Sequence, residues 1–463
     1  MPSSLSATLA RVLTETRYDR LPAPTVAAAR LALLDWFGSA LAGACEPPAA
    51  MARAVAASFG SADDATAFPG GRLSGTGAAF ANGVAAHILE LDDVHRGSTL
   101  HGAAPIVSAA LAIAERERAP GSELLRAIVL GYEAALRIGE AVNPSHYRFW
   151  HPTGTVATFG AAVAAGSLLG LDARAMADAL GSAGTQAAGL WEFNADGAMS
   201  KHLHPGKAAF DGILAADLAR LGFSSASRIL EGERGFFHAM SQEHDPSRIT
   251  DRLGTAWKIE ENCYKIHACC GHTHSAIDLA LALRRERGWT ADDAANAIQA
   301  VRIETYGPGY EIVRNANPAT PYQAKFSVAY VVAAALRDGE AGLAAFSADR
   351  FGPDGVTDPG IAALLSRTTV EVAPDLSALY PERWPARLTV TLANGEQPTS
   401  EAQFPRGNPE NPVDVETLEQ KAAALIAPRY DPALAGRVTA FVRDAESIPD
   451  VRHAMRTLLG AAG

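Results

Sequence analysis

The sequence predicts a mainly α protein: a large all-helical domain built from both chain ends, with a smaller α+β domain inserted toward the C-terminal side. Three observations carry this. Residues 3–254 run as successive Ala- and Leu-rich stretches with helical spacing, short alternating stretches begin after Trp257, and helical spacing returns beyond the loop at 405–412. At 463 residues the chain exceeds what one hydrophobic core usually serves, so two domains are expected, with segments 1–258 and 405–463 helical and 259–404 α+β.

Each element follows from its own pattern. Between residues 25 and 43, Leu33, Phe37 and Leu41 recur at four-residue spacing and Gly43 can end the helix. Gly160, Ala161, Ala162, Ala164, Ala165 and Gly166 put small side chains on several sides of a later helix, which lets neighbouring backbones approach. In the middle segment Val301, Ile303 and Thr305 alternate with Arg302 and Glu304; Val370 and Val372, then Leu388, Val390 and Leu392, repeat the period of two expected of strands. Asn394-Gly395 predicts a two-residue hairpin turn, with 400–404 as the returning strand. Helices are expected at 276–287 and 326–337 between the strands, and at 415–426 and 434–459 after them. The absence of a fixed-period repeat disfavours solenoids and propellers.

Composition narrows the function classes. Hydrophobic residues make up 48% and charged residues 20%, with Gly and Pro dispersed, as in an ordinary globular enzyme. A net charge of -11 and the lack of any Lys/Arg run argue against a nucleic-acid partner. Of the four cysteines, Cys45, Cys263, Cys269 and Cys270, two are adjacent, which suits a reduced compartment better than a disulfide framework. Residues 1–20 carry no signal-type apolar core and no 18-residue apolar run able to span a bilayer is expected, so a cytoplasmic protein without a membrane partner is predicted.

Four segments gather ionisable residues beside Gly and Pro. The first runs from His87 through Glu90, Asp92, Asp93 and His95 to His101-Gly102; its carboxylates and histidines suit proton transfer on a hydroxylated substrate, with metal ligation as the rival use. The second, His151-Pro152-Thr153-Gly154-Thr155, precedes an Ala-rich helix whose start would welcome an anion, or else is a capping loop with a satisfied histidine. The third holds Lys201, His202, His204 and Lys207 within seven residues, the densest positive cluster, with a solvated loop as the bland alternative. The fourth, Cys263 to His274, includes Lys265, Cys270 and His274. It lacks the second ligand pair of a zinc ribbon, and spacing identifies no base for a catalytic cysteine.

Taken in order, these segments resemble the MmgE/PrpD family. The likeness rests on Leu91-Asp92-Asp93 with His101, His151-Pro152-Thr153-Gly154, Gly189-Leu190-Trp191-Glu192-Phe193 with Asp196-Gly197, Lys201 to Ala209, Lys265 to Asp278, Lys325-Phe326-Ser327 and Pro405 to Pro412. It covers nearly the whole chain. The resemblance implies a helical domain with an α+β lid, usually in a homodimer, and a small polycarboxylate as substrate with neither cofactor nor metal. It implies His101, His151, Lys201 and Lys265 as catalytic residues in a pocket between the domains, with Asp92, Asp93, His204, Lys207, Cys270 and His274 binding substrate. The lysines would hold carboxylates and the histidines would act as acid and base near pH 7. The decarboxylases of this family carry a histidine where Cys270 stands and an aspartate where Glu90 stands, which points toward dehydration of 2-methylcitrate or a related hydroxy-polycarboxylate. Epimerisation of an imino- or amino-dicarboxylate, cis-aconitate-type decarboxylation and a non-catalytic anion-binding scaffold are the alternatives.

Overall fold

In the computed structural model, which describes residues 4–60, 62–353 and 355–460, the chain forms two compact units. One comprises Met1–Ile88, Asp92–Cys263 and Asp414–Gly463; the other comprises Leu89–Leu91 and Tyr264–Val413. The junctions therefore fall at 263/264 and 413/414, where the sequence reading placed them at 258/259 and 404/405. Residues 1–3 and 461–463 of the predicted helical ends lie outside the described residues.

The first unit is a stack of helices: α1 (Ala23–Gly43), α2 (Gly75–His87), α3 (Ala103–Arg116), α4 (Gly121–Val142), α5 (Val156–Leu168) and α6 (Ser200–Arg220). Helix α1 is long and apolar enough to cross a membrane by composition, contrary to expectation, but 78% of its most apolar window is buried. Its apolarity belongs to a core. Trp36 and Phe37 pack with Phe68 and Phe441, and the Trp36 indole donates to Ser108 Oγ at 3.0 Å. The buried Asp35 accepts from Lys421 Nζ at 2.6 Å, which ties the C-terminal helix Val415–Ile426 to α1 and brings both chain ends into one core.

Small residues decide how α2, α4, α5 and α6 cross. A Cβ on Gly83 of α2 would lie 2.9 Å from Gly206 Cα and 3.0 Å from Pro205 O of α6, and one on Gly206 would lie 2.6 Å from Phe80 O. These two backbones touch, with no room for a methyl group. The same holds for α4 and α5, where a Cβ on Gly131 would stand 2.8 Å from Gly160 O. Both crossings set where the polar ends of the helices meet.

Two short antiparallel pairings complete this unit, one of them between β1 (Val94–His95) and β2 (Asn262–Cys263). The helix expected over 434–459 is instead two, Ala433–Arg443 and Val451–Leu459. Pro449 explains the break: it has no N–H to donate and holds Ile448 extended, after which Asp450 starts the second helix by accepting from His453 N.

The second unit is α+β. Its sheet contains β3 (Ile298–Thr305), β4 (Thr368–Val372), β5 (Ala386–Leu392) and β6 (Thr399–Ala402) in the order β6-β5-β3-β4, with β3 and β4 parallel and the other neighbours antiparallel. The hairpin forms at Asn394-Gly395, though as a three-residue loop and not a two-residue turn: Leu392 donates to Glu396 O, Gly395 has φ +88°, and the returning strand spans Thr399–Ala402 in place of 400–404. Helices α7 (His274–Arg287) and α8 (Val328–Asp338) pack on each other in this unit.

The crowding at Gly83 predicts that Gly83→Val destabilises the protein by roughly 1–3 kcal/mol. Gly436→Ala, in the helix Ala433–Arg443 with nothing within 4 Å of the added methyl, is expected to be neutral or to stabilise by up to about 1 kcal/mol. Denaturant midpoints of the two variants check this, and equal losses at both positions would refute it.

Candidate active site

Helix α2 ends at His87, and the chain re-enters the first unit at Asp92. His87 Nδ1 donates to Asp92 Oδ2 at 2.6 Å, with both side chains fully buried. This fixes the tautomer and leaves Nε2 as the lone-pair nitrogen; that atom is buried and has no hydrogen-bond partner. His101 stands just before α3. Its backbone N donates to Thr153 Oγ1 at 3.1 Å and its Nδ1 donates to Asp93 O at 2.7 Å, so its ring too is held by the Nδ1 edge.

His151 lies before α5. Its Nδ1 is 2.9 Å from Nδ1 of His204 on α6, a contact in which one ring donates and the other accepts, and its own Nε2 is buried without a partner. The rings of Trp191 and Phe193 pack against it at 4.9 and 5.8 Å. Gly154 permits this approach, because a Cβ there would stand 3.1 Å from His204 Cβ and 2.8 Å from Ala188 O. Lys201, one turn before His204 on α6, is only 2% exposed. The three imidazoles thus face one another: ring centroids are 4.7 Å apart for His87 and His101, 5.6 Å for His87 and His151, and 6.1 Å for His101 and His151.

Asp93 anchors this arrangement. Its buried carboxylate accepts from Ala103 N, the first residue of α3, at 2.9 Å, from Tyr132 Oη of α4 at 2.5 Å and from Asn262 Nδ2 of β2 at 2.7 Å. Burial is nonetheless the dominant effect and pushes its pKa up to about 7, with the Tyr132 and Ala103 hydrogen bonds opposing the rise and Asp35 and Asp92 adding to it.

The histidines behave differently from expectation. His151 is held well below the usual imidazole range, first by burial and then by the positive charge that His204, Lys201, His87 and His101 place around it. His204 is pushed down to about 3 by burial, with His87, Lys201 and Lys207 adding to the effect. At pH 7 these two rings are neutral rather than poised near neutrality, and burial brings the carboxyl of Asp93 into the neutral range.

The remaining predicted residues are placed as follows. Lys207 spends its ammonium on Asp211 at 2.6 Å and Gln186 O at 2.7 Å, inside helix α6 and not in the solvated loop that was the alternative for its segment. In the second unit, the buried Lys265 donates to Glu90 Oε2 and Glu90 O, both at 3.2 Å, and Lys325 donates to Leu89 O at 2.6 Å and Ala268 O at 3.0 Å. Cys270 is buried, its N–H bonded to Lys325 O. His274 Nε2 donates to Cys269 O at 3.3 Å, and its ring packs on His267. Burial pushes the Cys269 thiol up to about 12, so it is no thiolate at neutral pH. Among the described residues, the cysteines and histidines of 263–274 form no ligand cluster.

His87 belongs to the first segment, read for proton transfer or metal ligation, but is not among the residues assigned to the site. Its signal was positional, a histidine closing a helical run five residues before Asp92. Tyr132, Asn262 and the ring wall of Trp191 and Phe193 were missed as site elements; nothing in spacing links residues so far apart.

Buried imidazoles, a carboxylate-oriented tautomer and a buried lysine meet where packed helices converge, an arrangement whose chemistry is the holding and moving of protons. The chain belongs to the MmgE/PrpD family: the family's N-terminal domain matches residues 7–249 and its C-terminal domain residues 267–446. It is similar to the cis-aconitate decarboxylase-like protein oryM of Aspergillus oryzae, 26% identical over 99% of this chain and 98% of that protein. It is also similar to the cis-aconitate decarboxylase of Homo sapiens, 31% identical over 76% of this chain and 73% of that one, and to that of Mus musculus, 30% identical over 77% and 72%.

The depressed histidines make stability depend on pH. His146, His204 and His272 are lowered to about 4, 3 and 3, below the unfolded value of about 6.5. Through that window the unfolded chain binds more protons, so stability present above about pH 6.5 is lost as pH falls. Asp93 acts in the opposite sense: its contribution is complete below about pH 3.9 and is lost as pH rises through about 7. His204→Gln is expected to flatten the fall in Tm between pH 6.5 and 4, by at most about one proton or roughly 1.4 kcal/mol per pH unit. An unchanged slope would place the His204 titration elsewhere.

Proposed function

We propose that this protein is a cofactor-independent lyase of a citrate-derived polycarboxylate, with decarboxylation of cis-aconitate as the first reading and dehydration of 2-methylcitrate as the second. The observation that carries it is the convergence of His87, His101 and His151 in one nearly buried cluster beside Lys201. The similarity to a cis-aconitate decarboxylase-like protein over 99% of the chain, and to cis-aconitate decarboxylases over about three quarters of it, supports the first reading. Cys270, where the family resemblance implies a histidine in the decarboxylases, favours the second.

Both reactions need the same few elements. In decarboxylation a C–C bond breaks, carbon dioxide leaves, and the electron pair left on the carbon skeleton takes up one proton. In dehydration a C–H bond loses its proton to a base while hydroxide departs with a second proton. Either route needs a proton relay beside carbon and a cation for the remaining carboxylates. His101 and His151 supply the relay, and Lys201 stabilises the negative charge that grows in the transition state. Lys265 is assigned a carboxylate as its ligand, as the family resemblance implies.

Incubation with cis-aconitate in D2O is expected to release one equivalent of carbon dioxide and give an unsaturated dicarboxylate carrying one deuterium at the protonated carbon. His101→Ala, His151→Ala and Lys201→Ala should each lower turnover by about 100-fold or more, and Lys265→Ala should raise KM. Alkene formation from 2-methylcitrate without carbon dioxide release would favour the second reading, and deuterium exchange into an amino-dicarboxylate with neither would replace both by epimerisation. Inertness toward all three at high enzyme loading would sink the lyase proposal.

A further inference from the structure

We propose that His87, His101 and His151 form a binding site for one divalent transition-metal ion of the zinc type, and that the ion, when bound, blocks the protein's proton-transfer chemistry. The binding half rests on the geometry of the cluster alone, and the inhibitory half rests on the proposed function.

Three observations point to a metal. One ring nitrogen of each histidine lies within 4.8 Å of those of the other two. Around a zinc ion with Zn–N bonds of about 2.0–2.1 Å, tetrahedral nitrogens stand roughly 3.4 Å apart, so the rings need to close by at most about 1.4 Å. Each ring also has its Nδ1 engaged from behind: His87 by the Asp92 carboxylate at 2.6 Å, His101 by the Asp93 carbonyl at 2.7 Å and His151 by His204 at 2.9 Å. Metal-ligating histidines are held by such outer partners, which orient the ring and raise the basicity of the nitrogen facing the ion. Finally, the Nε2 atoms of His87 and His151 are buried with no hydrogen-bond partner. An unsatisfied buried polar nitrogen costs free energy, and a cation at the centre of the cluster removes that cost twice, with His151 in the tautomer that donates its Nδ1–H to His204 and leaves the Nε2 lone pair for the ion.

The donor set selects the ion. Three imidazoles with a nearby carboxylate suit zinc, copper, nickel or cobalt and offer little to magnesium or calcium, which require oxygen ligands. Lys201 opposes the bound charge and Asp92, behind His87, offsets it, so moderate and reversible affinity is the expected outcome. A second cluster sharpens the choice. His95 lies 3.7 Å from Glu140 and 3.6 Å from Glu261, but Lys258 Nζ already sits 3.0 Å from the former carboxylate and 3.1 Å from the latter. That cluster already has a cation bridging its two carboxylates, whereas the three-histidine cluster brings together nitrogen donors.

The blocking follows from lone pairs. A nitrogen that donates its electron pair to a metal cannot accept a proton, so an occupied cluster loses the acceptors on which proton transfer depends.

The test uses the full chain and Co2+ as a spectroscopic stand-in for Zn2+. Titration is expected to give a visible d–d absorption that saturates at one ion per chain and is displaced by Zn2+. His87→Ala and His151→Ala should abolish the band, with circular dichroism confirming that each variant is folded. Asp92→Asn, which keeps all three ligands, should weaken binding about 10- to 100-fold, and Glu261→Gln should leave it unchanged. Absence of a saturable band, survival of the band in folded His87→Ala and His151→Ala, or its loss in Glu261→Gln would overturn the site. In turnover assays Zn2+ should inhibit at least about 10-fold with full recovery on adding a chelator; activation by the ion, or one bound ion with turnover unchanged, would overturn the inhibitory role. The cobalt titration decides the binding half even if no substrate is turned over, so failure of the proposed function is distinguishable from failure of the site.

Discussion

The interaction on which the rest depends is the buried carboxyl of Asp93. It fastens the start of α3, the middle of α4 through Tyr132 and the strand residue Asn262, while its own backbone carbonyl orients His101. One residue thus connects three elements distant in sequence and fixes an imidazole tautomer. Burying it is costly, as its raised pKa shows, and a carboxyl in this position is tolerable only because each of its oxygens is bonded. Removing any one donor would leave the others holding a partly unsatisfied charge, so the group acts as a unit.

Next to that anchor, the glycine crossings set the scale of the site. Because α2 and α6 touch at Gly83 and Gly206, the end of α2 carrying His87 and the first turns of α6 carrying Lys201 and His204 share one neighbourhood. Larger residues would part the helices and dissolve the cluster without altering any functional side chain. The chemistry therefore depends on residues that have no chemistry of their own.

This explains what was legible in the sequence. Periodicity depends on near neighbours, so the helices of the first unit, the strands β3, β4 and β5 and the Asn394-Gly395 hairpin could be read from local pattern. The break at Pro449 was a local signal overlooked, because apolar spacing on both sides hid it. Ala23–Gly43 illustrates the opposite limit: its composition alone does not separate a membrane span from a core helix, and tertiary contacts such as Asp35 with Lys421 from a distant part of the chain reveal the core. Among the site residues, those in compact motifs were legible. Tyr132 and Asn262 were not, since each reaches Asp93 through tertiary packing alone, and His87 was visible but gained meaning only when Asp92 was seen to fix its tautomer.

Electrostatics was the least legible layer, and it changes the account of how the site would work. A row of histidines and lysines suggests acid and base near pH 7, but burial and mutual repulsion hold His151 and His204 neutral. A polycarboxylate counters the second cause: its negative charges offset Lys201 and favour the protonated imidazoles, while burial still opposes them. Under the proposed function, then, substrate binding and proton uptake are coupled, and the ligand itself brings His151 toward the range where it can give a proton as well as take one. The same reasoning explains why a metal cation and an anionic substrate would compete though they carry opposite charge. The anion favours protonated imidazoles and the metal binds only bare ones, so each draws the cluster toward the state the other does not use.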